Sequence, residues 1–223
     1  MQDVPYQEAV GSLMYAVLGT RPDIAYAVNY LARFGENPSR PHWEAVKRVI
    51  QYLKGTKDLF LVLGGERRDL LGYTDADGMS HEDRHAISGY VFQIDGSTVS
   101  WSAKRQNVVA LSTTEAEYVA TTHAAQEALW LRSFLSELSE DLTKPTTLYS
   151  NNQSSITLAK DDQFHARTKH IDIRFHFIRW IISDGKMSLQ YCPTEDMTAD
   201  IFTKALPSPK AKHFAAALGL CLL

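Results

Sequence analysis

The spacing of apolar residues changes once along this chain, near residue 58, and that change limits the possible folds more than any other feature. Before it, every apolar run has helical spacing. Tyr6 to Leu18 forms the first run, ended by Gly19-Thr20. Pro22 then stands where a first-turn proline belongs, ahead of a stripe of Ile24, Val28 and Leu31. Ser39 or Pro41 opens a third helix, with Trp43, Val46, Ile50 and Leu53 expected to face inward and Gly55 to close it. Short loops between three short helices predict a small helical segment over residues 1–58.

After residue 58 the pattern becomes short and strand-like. Leu59 to Leu63 and Leu70 to Tyr73 read as short buried strands split by a Gly-Gly-Glu-Arg-Arg turn. Ser88 to Ile94 and Ser97 to Ser102 read as a hairpin around Asp95-Gly96. A long helix is expected from Ser112 to Leu138, opened by Ser112-Thr113-Thr114-Glu115 as a capping box. Thr146 to Ser150 and Met187 to Cys192 read as strands. Gln153 to Lys160, Lys169 to Ser183 and Asp196 to Leu206 read as helices, the second with a stripe of Ile171, Phe175, Ile178 and Ile182. Strands followed by alternating helix and strand predict an α/β domain over residues 59–223, a mixed sheet flanked by helices.

A chain of 223 residues with 44% hydrophobic and 22% charged residues can build a core of ordinary size. It contains no run of eighteen apolar residues, so no membrane span and no membrane partner is expected. The opening residues lack the layout of a signal peptide. Cys192 and Cys221 have neither metal nor redox spacing, and reduced thiols in an intracellular protein are the expectation. The net charge of −3 argues against nucleic acid only as an average. Arg167 to Arg179 is locally basic, with four Arg or Lys, two His and one Asp.

Three acids stand where strands end or helices pack. Asp75 follows the run Leu70-Leu71-Gly72-Tyr73-Thr74, Glu117 lies early in the long helix, and Asp200 lies in the last α/β helix. Carboxylates brought from separate elements suit a hard, oxygen-liking cation. Taken singly, each is more ordinarily a solvated surface acid.

Ordered blocks sharpen this reading. Tyr73-Thr74-Asp75-Ala76-Asp77, Ser88-Gly89-Tyr90-Val91-Phe92, Trp101-Ser102-Ala103-Lys104-Arg105-Gln106 and Leu111 through Tyr118 come first. Asn152-Gln153-Ser154, Arg167 through Arg179 and Ala199-Asp200-Ile201-Phe202-Thr203-Lys204 follow. In this order and spacing the set resembles the ribonuclease H domain of Ty/copia-type LTR retrotransposon reverse transcriptase polyproteins. Val10 through Tyr15, Thr20 through Ile24 and Tyr52 through Thr56 resemble the thumb or connection segment that precedes it. The polymerase palm has no counterpart, so the polymerase portion (fingers and palm) of the same polyprotein is an expected partner.

The resemblance implies a ribonuclease H-like fold with a mixed five-stranded sheet. It also implies two-metal hydrolysis of the RNA strand of an RNA/DNA hybrid, with two Mg²⁺ ions, or Mn²⁺ in their place. Carried over by position, Asp75 would bridge both metals, Glu117 would bind one, and Asp200 would bind the ion on the nucleophile side. The fourth carboxylate should stand at the end of Thr147-Leu148-Tyr149-Ser150, where this sequence has Asn151. An amide has one acceptor oxygen and no charge, so inactivity or very weak activity is expected. A non-catalytic hybrid-binding module is the alternative. Glu115 competes with Glu117, two residues away on another helix face, and Glu117 is chosen because Tyr118-Val119-Ala120 follows it. Asp77 is a weaker candidate near the metals. Gln153 and Ser154 are candidates for 2′-hydroxyl contacts. Lys104, Arg105, Arg167, Lys169, His170 and Arg174 are candidates for backbone phosphates. In the helical segment Arg40, Lys47, Arg48 and Lys54 could grip a duplex. The implied location is cytoplasmic, within a virus-like particle, or nuclear.

Overall fold

Backbone chemistry sets the first boundaries. Pro22 begins a 3-10 turn, Pro22–Ile24, that leads directly into helix α2, Ala25–Ala32. It follows helix α1, Tyr6–Gly19. Helix α3, Arg40–Gly55, opens at Ser39, whose side chain and backbone both engage the first turn through His42. The computed structural model describes residues 4–64, 69–77, 85–138, 142–160 and 172–222.

The sheet follows. Strand β1 is Phe60–Leu61, β2 Leu70–Asp77, β3 Ile87–Ile94 and β4 Ser97–Arg105. Asp95 and Gly96 both carry positive φ, 55° and 76°, as a two-residue turn with the twist of a hairpin requires. Helix α4 is Thr113–Glu137, β5 Thr146–Ser150, α5 Gln153–Lys160, α6 Asp172–Ser183 and β6 Met187–Tyr191. A 3-10 turn at Thr198–Phe202, helix α7 at Ser208–Ala217 and strand β7 at Leu220–Cys221 complete the chain. Five strands lie in the order β4-β3-β2-β5-β6, antiparallel on the β4-β3-β2 side and parallel along β2-β5-β6.

Three expectations are corrected. Leu59 to Leu63 is not a buried strand: only Phe60–Leu61 is extended, and it runs antiparallel to β7 in a separate two-stranded sheet. A two-residue run with Phe60 exposed lacks the buried face that would hold it in the main sheet. On α3, Val46 and Val49 form the buried face, and Ile50, expected inward, is exposed. The segment expected to be a helix over Asp196 to Leu206 is a 3-10 turn of five residues.

Two cores flank the main sheet. On one side Phe92, Tyr118, Leu148, Ile178 and Ile181 pack with the alanine face of α4, Ala124, Ala125 and Ala128. On the other side Val10, Val17, Val28 and Val46 of the helical segment share a core with Val91, Ala103, Phe202 and Phe214. Full burial of side chains of this size contributes about 1.5–3 kcal/mol each. Trp101 Nε1 donates to the Val17 carbonyl at 3.0 Å, so the first helix is also pinned to β4 by a hydrogen bond.

Candidate active site

β2 and β5 run parallel, with Tyr73 opposite Tyr149. Two residues further along, both strands deliver a side chain to the same sheet end: Asp75 from β2 and Asn151 just beyond β5. Strand carboxyl ends are where open α/β sheets place their ligands. Tyr73 and Tyr149 stack with ring centres 5.1 Å apart and brace this pairing from behind.

The third participant arrives through a missing side chain. Gly89 lies opposite Asp75 in the β2-β3 ladder. A Cβ on Gly89 would stand 2.7 Å from Thr203 Cγ2 and 2.8 Å from Phe202 Cβ. The bare backbone there lets the 3-10 turn sit directly on the sheet. Thr203 Oγ1 then donates to Asp75 Oδ2 at 2.5 Å, and Asp200 is fully buried beside it.

α4 supplies the fourth position. Ser112 caps it, accepting from the Glu115 amide at 3.2 Å. The Glu115 carboxylate turns back to accept from the Leu111 amide at 2.7 Å, so it caps its own helix one residue earlier than a capping box would. Buried Gln106 holds the same helix end, donating to the Ala116 carbonyl at 2.8 Å and to Ser88 Oγ at 2.9 Å. Glu117 is thereby left on the face toward Asp75, where it accepts a backbone hydrogen bond from Ala76. Its Oε2 is buried with no hydrogen-bond partner among the described residues.

These groups bear on one another electrostatically. Burial pushes Glu117 well above the ordinary carboxylate value, and the charges of Asp75 and Asp200 push it further. Burial also raises Asp75, with Lys204 opposing the shift and Asp200 adding to it. Asn151 Nδ2 donates to Asp75 Oδ1 at 3.1 Å. Lys204 Nζ lies 2.9 Å from Asp200 Oδ1 and 3.6 Å from Asp75 Oδ2. Burial works against the Lys204 charge, yet Asp75 and Asp200 outweigh it and raise its pKa. Lys210 Nζ takes the other oxygen of Asp200, Oδ2, at 2.9 Å.

Asp75, Glu117, Asn151 and Asp200, read from the sequence as one site, therefore do come together. Lys204, Lys210 and Thr203 join them and were missed as site members. The spacing of Asp200 and Lys204, one helical turn apart, was the available signal for Lys204. Lys210 is brought in by a separate helix, and no local pattern marks it. Asp77 stays half-buried at the edge, within the field of Lys204. Gln153 and Ser154 are exposed at the start of α5. Lys104 and Arg105 are exposed on β4, opposite Ser88 and Ile87, at the same sheet end as Asp75. Arg174 is half-buried on α6. Together with Lys104 it acts on His123, whose pKa is lowered first by burial and then by these two charges. Arg167, Lys169 and His170 lie outside the described residues.

The donor set is all oxygen, and the unpartnered Glu117 Oε2 suits a hard cation. As the side chains stand, no group of three or more His, Cys, Asp or Glu among the described residues could hold a metal ion. Asn151 brings an amide to this spot, and the Lys204 ammonium lies within 3.6 Å of both Asp75 and Asp200.

No family model matches the chain. Over 211 residues, 94% of the chain, it is 48% identical to the retrovirus-related Pol polyprotein from transposon TNT 1-94 of Nicotiana tabacum. This chain is a homologue of the Ty/copia-type Pol polyproteins. Similarity extends to yeast, at 26% identity over 210 residues with the Transposon Ty1-NL2 Gag-Pol polyprotein of Saccharomyces cerevisiae, covering 90% of the chain and 12% of that protein. The Pol homologue spans 16% of the tobacco polyprotein's length. It is also 47% identical over 134 residues to a protein named secreted RxLR effector protein 161, of Plasmopara viticola, covering 59% of the chain and 94% of that protein. Its fold is a mixed five-stranded sheet with flanking helices and a helical segment before it. A solved LC11-RNase H1 in complex with RNA/DNA hybrid matches 60% of the chain and 94% of its own length, at 18% identity and a TM-score of 0.47. No described helix of the Pol homologue is long and apolar enough to cross a membrane.

Proposed function

We propose that this chain is the hydrolytic domain of a retrotransposon reverse transcriptase, built to cleave the RNA strand of an RNA/DNA hybrid, and that Asn151 holds its activity very low. The observation that supports this reading is that Asn151 hydrogen-bonds buried Asp75 at a sheet end while the Lys204 ammonium lies near both Asp75 and Asp200, with buried Glu117 within their field.

Asp75, Glu117, Asp200 and an aspartate at position 151 would together hold magnesium. Bound there, the metal would supply Lewis-acid charge to a phosphodiester and lower the pKa of a coordinated water. The chain's own residues set the stage for that chemistry. Thr203 and Asn151 fix both oxygens of Asp75, and Gln106 fixes the end of α4 that carries Glu117. In this arrangement Asn151 donates toward Asp75, so its amide nitrogen faces the point where the site needs a negative oxygen.

Substrate contacts follow from what is exposed around that point. Exposed Gln153 and Ser154 would meet ribose hydroxyls, and exposed Lys104 and Arg105 would meet phosphates along the hybrid. Residues 1–58 form the thumb or connection-like segment, and the polymerase portion of the polyprotein is the natural neighbour.

The test is Asn151→Asp. It should confer Mg²⁺-dependent cleavage of RNA in a hybrid while leaving duplex DNA intact. A folded, inactive revertant that still bound hybrid in a salt-sensitive way would favour a non-catalytic binding module instead.

A further inference from the structure

Asp200 faces a different ammonium at each carboxylate oxygen: Lys204 forms an ion pair with Oδ1 at 2.9 Å without hydrogen-bond geometry, and Lys210 hydrogen-bonds Oδ2 at 2.9 Å. The Lys204 ammonium also lies 3.6 Å from Asp75 Oδ2. Counting formal charges, Asp75, Glu117 and Asp200 face Lys204 and Lys210, so three negative charges meet two positive ones and one remains uncompensated. Carboxylates this deeply buried stay ionised only beside a positive charge, and otherwise take up a proton.

We propose that Lys204 is a resident counter-cation, whose ammonium holds the place a divalent ion must take, so that ion entry is an exchange with Lys204 rather than the filling of an open chelate. This rests on the carboxylate-site reading given above. It explains why Asp75 and Asp200 converge without forming a ready cage. It also gives the displaced side chain somewhere to go. Lys204 lines a cavity of about 550 Å³ between the helical segment and the 3-10 turn, whose walls include Tyr26, Tyr30 and Tyr52. Aromatic faces are favourable neighbours for an ammonium that has left an anionic site. Lys210, which reaches Asp200 from α7 and also donates to the Thr194 carbonyl, stays behind as the fixed partner.

The experiment is Mn²⁺ binding to the full chain, measured by the loss of the free-ion electron paramagnetic resonance signal at low ionic strength. Lys204→Met keeps most of the stem and removes the charge. It should tighten binding at least about tenfold, since one unit of like charge is removed within a few ångströms of the ion. Lys204→Arg keeps the charge and should stay within about twofold of the parent, by the same reasoning. On the unaltered chain, the Lys204 ¹⁵Nζ resonance should move on Mg²⁺ addition, a readout that survives even if the Met variant does not fold. Equal affinity in the Met variant and the parent overturns the exchange, as does a Lys204 resonance unmoved at saturating Mg²⁺. Asp75→Asn separates the two readings. Binding abolished by Asp75→Asn but indifferent to Lys204→Met retains the carboxylate site and removes the exchange. Binding indifferent to both removes both.

Discussion

Asn151 donates its amide nitrogen to Asp75 Oδ1 at 3.1 Å, across the end of two parallel strands. The contact is comfortable only because one partner is neutral. With a carboxylate at position 151, two anions would face each other at that separation, and they would need a cation or a proton between them.

Asn151→Asp should therefore change stability as well as activity. Without divalent ions the variant should melt below the parent, and added Mg²⁺ should raise its melting temperature far more than the parent's. Hybrid cleavage should rise at least about a hundredfold, equivalent to roughly 3 kcal/mol of transition-state stabilisation. Thermal melts with and without Mg²⁺, alongside cleavage of a labelled hybrid, would check both. A variant as stable as the parent in chelator would show that the two positions do not interact.

The pH dependence has a definite sign. Glu117 and Asp75 have folded-state pKa values raised above those of the unfolded chain, chiefly by burial. An acid shifted upward binds more protons folded than unfolded. Its contribution is fully present below the unfolded value and is lost as pH rises through the raised one. In chelator, stability should fall as pH climbs from the ordinary carboxylate range through the raised value of Glu117. Glu117→Gln should flatten that fall and melt higher than the parent at the upper end. Denaturant melts across pH measure this, and an unchanged slope in the variant would count against the burial of a titrating Glu117.

Gly89 carries the docking of the last acidic segment. Gly89→Ala would place a methyl 2.7 Å from Thr203 Cγ2 and 2.8 Å from Phe202 Cβ, neither of which is the loose end of a long side chain. A destabilisation of about 1–3 kcal/mol is expected from the overpacking. The Asp75–Thr203 hydrogen bond should be disturbed with it, so Mn²⁺ affinity should fall together with stability. A variant with parental melting and binding would show that the turn has room to retreat.

Most element boundaries were legible because the signals are local: period-two runs, Asp95-Gly96, and the Ser112 cap. The grouping of Asp75, Glu117, Asn151 and Asp200 was legible through ordered blocks rather than through any one residue. Long-range charge pairing escaped, because nothing near Lys210 in sequence says that its ammonium meets Asp200. Glu115 shows the same limit. A Ser-x-x-Glu pattern marks the right helix start, but the carboxylate bonds the Leu111 amide rather than the cap itself. Ile50 and Val49 exchanged places because a helical stripe one residue out of phase fits the same letters.

The helical segment and the sheet should unfold together. Residues 59–222 expressed alone would leave Val91, Ala103, Phe202 and Phe214 without the partners that Val10, Val17, Val28 and Val46 supply. The full chain should show a single calorimetric transition, and the shortened one a broad or absent transition. Two separate transitions in the full chain would mean that the shared core is not cooperative.

β7 reaches back across the whole α/β region to pair with β1, placing Leu220 opposite Leu61 and the Val62 amide 3.0 Å from the Gly219 carbonyl. During synthesis, the edge of β1 must therefore wait, unpaired, while some 160 residues emerge between the two strands, a loop whose closure is entropically slow. A nascent chain would carry this segment as an open seam, closed only when residues 220–221 leave the ribosome. A stalled product would present that seam to other strands.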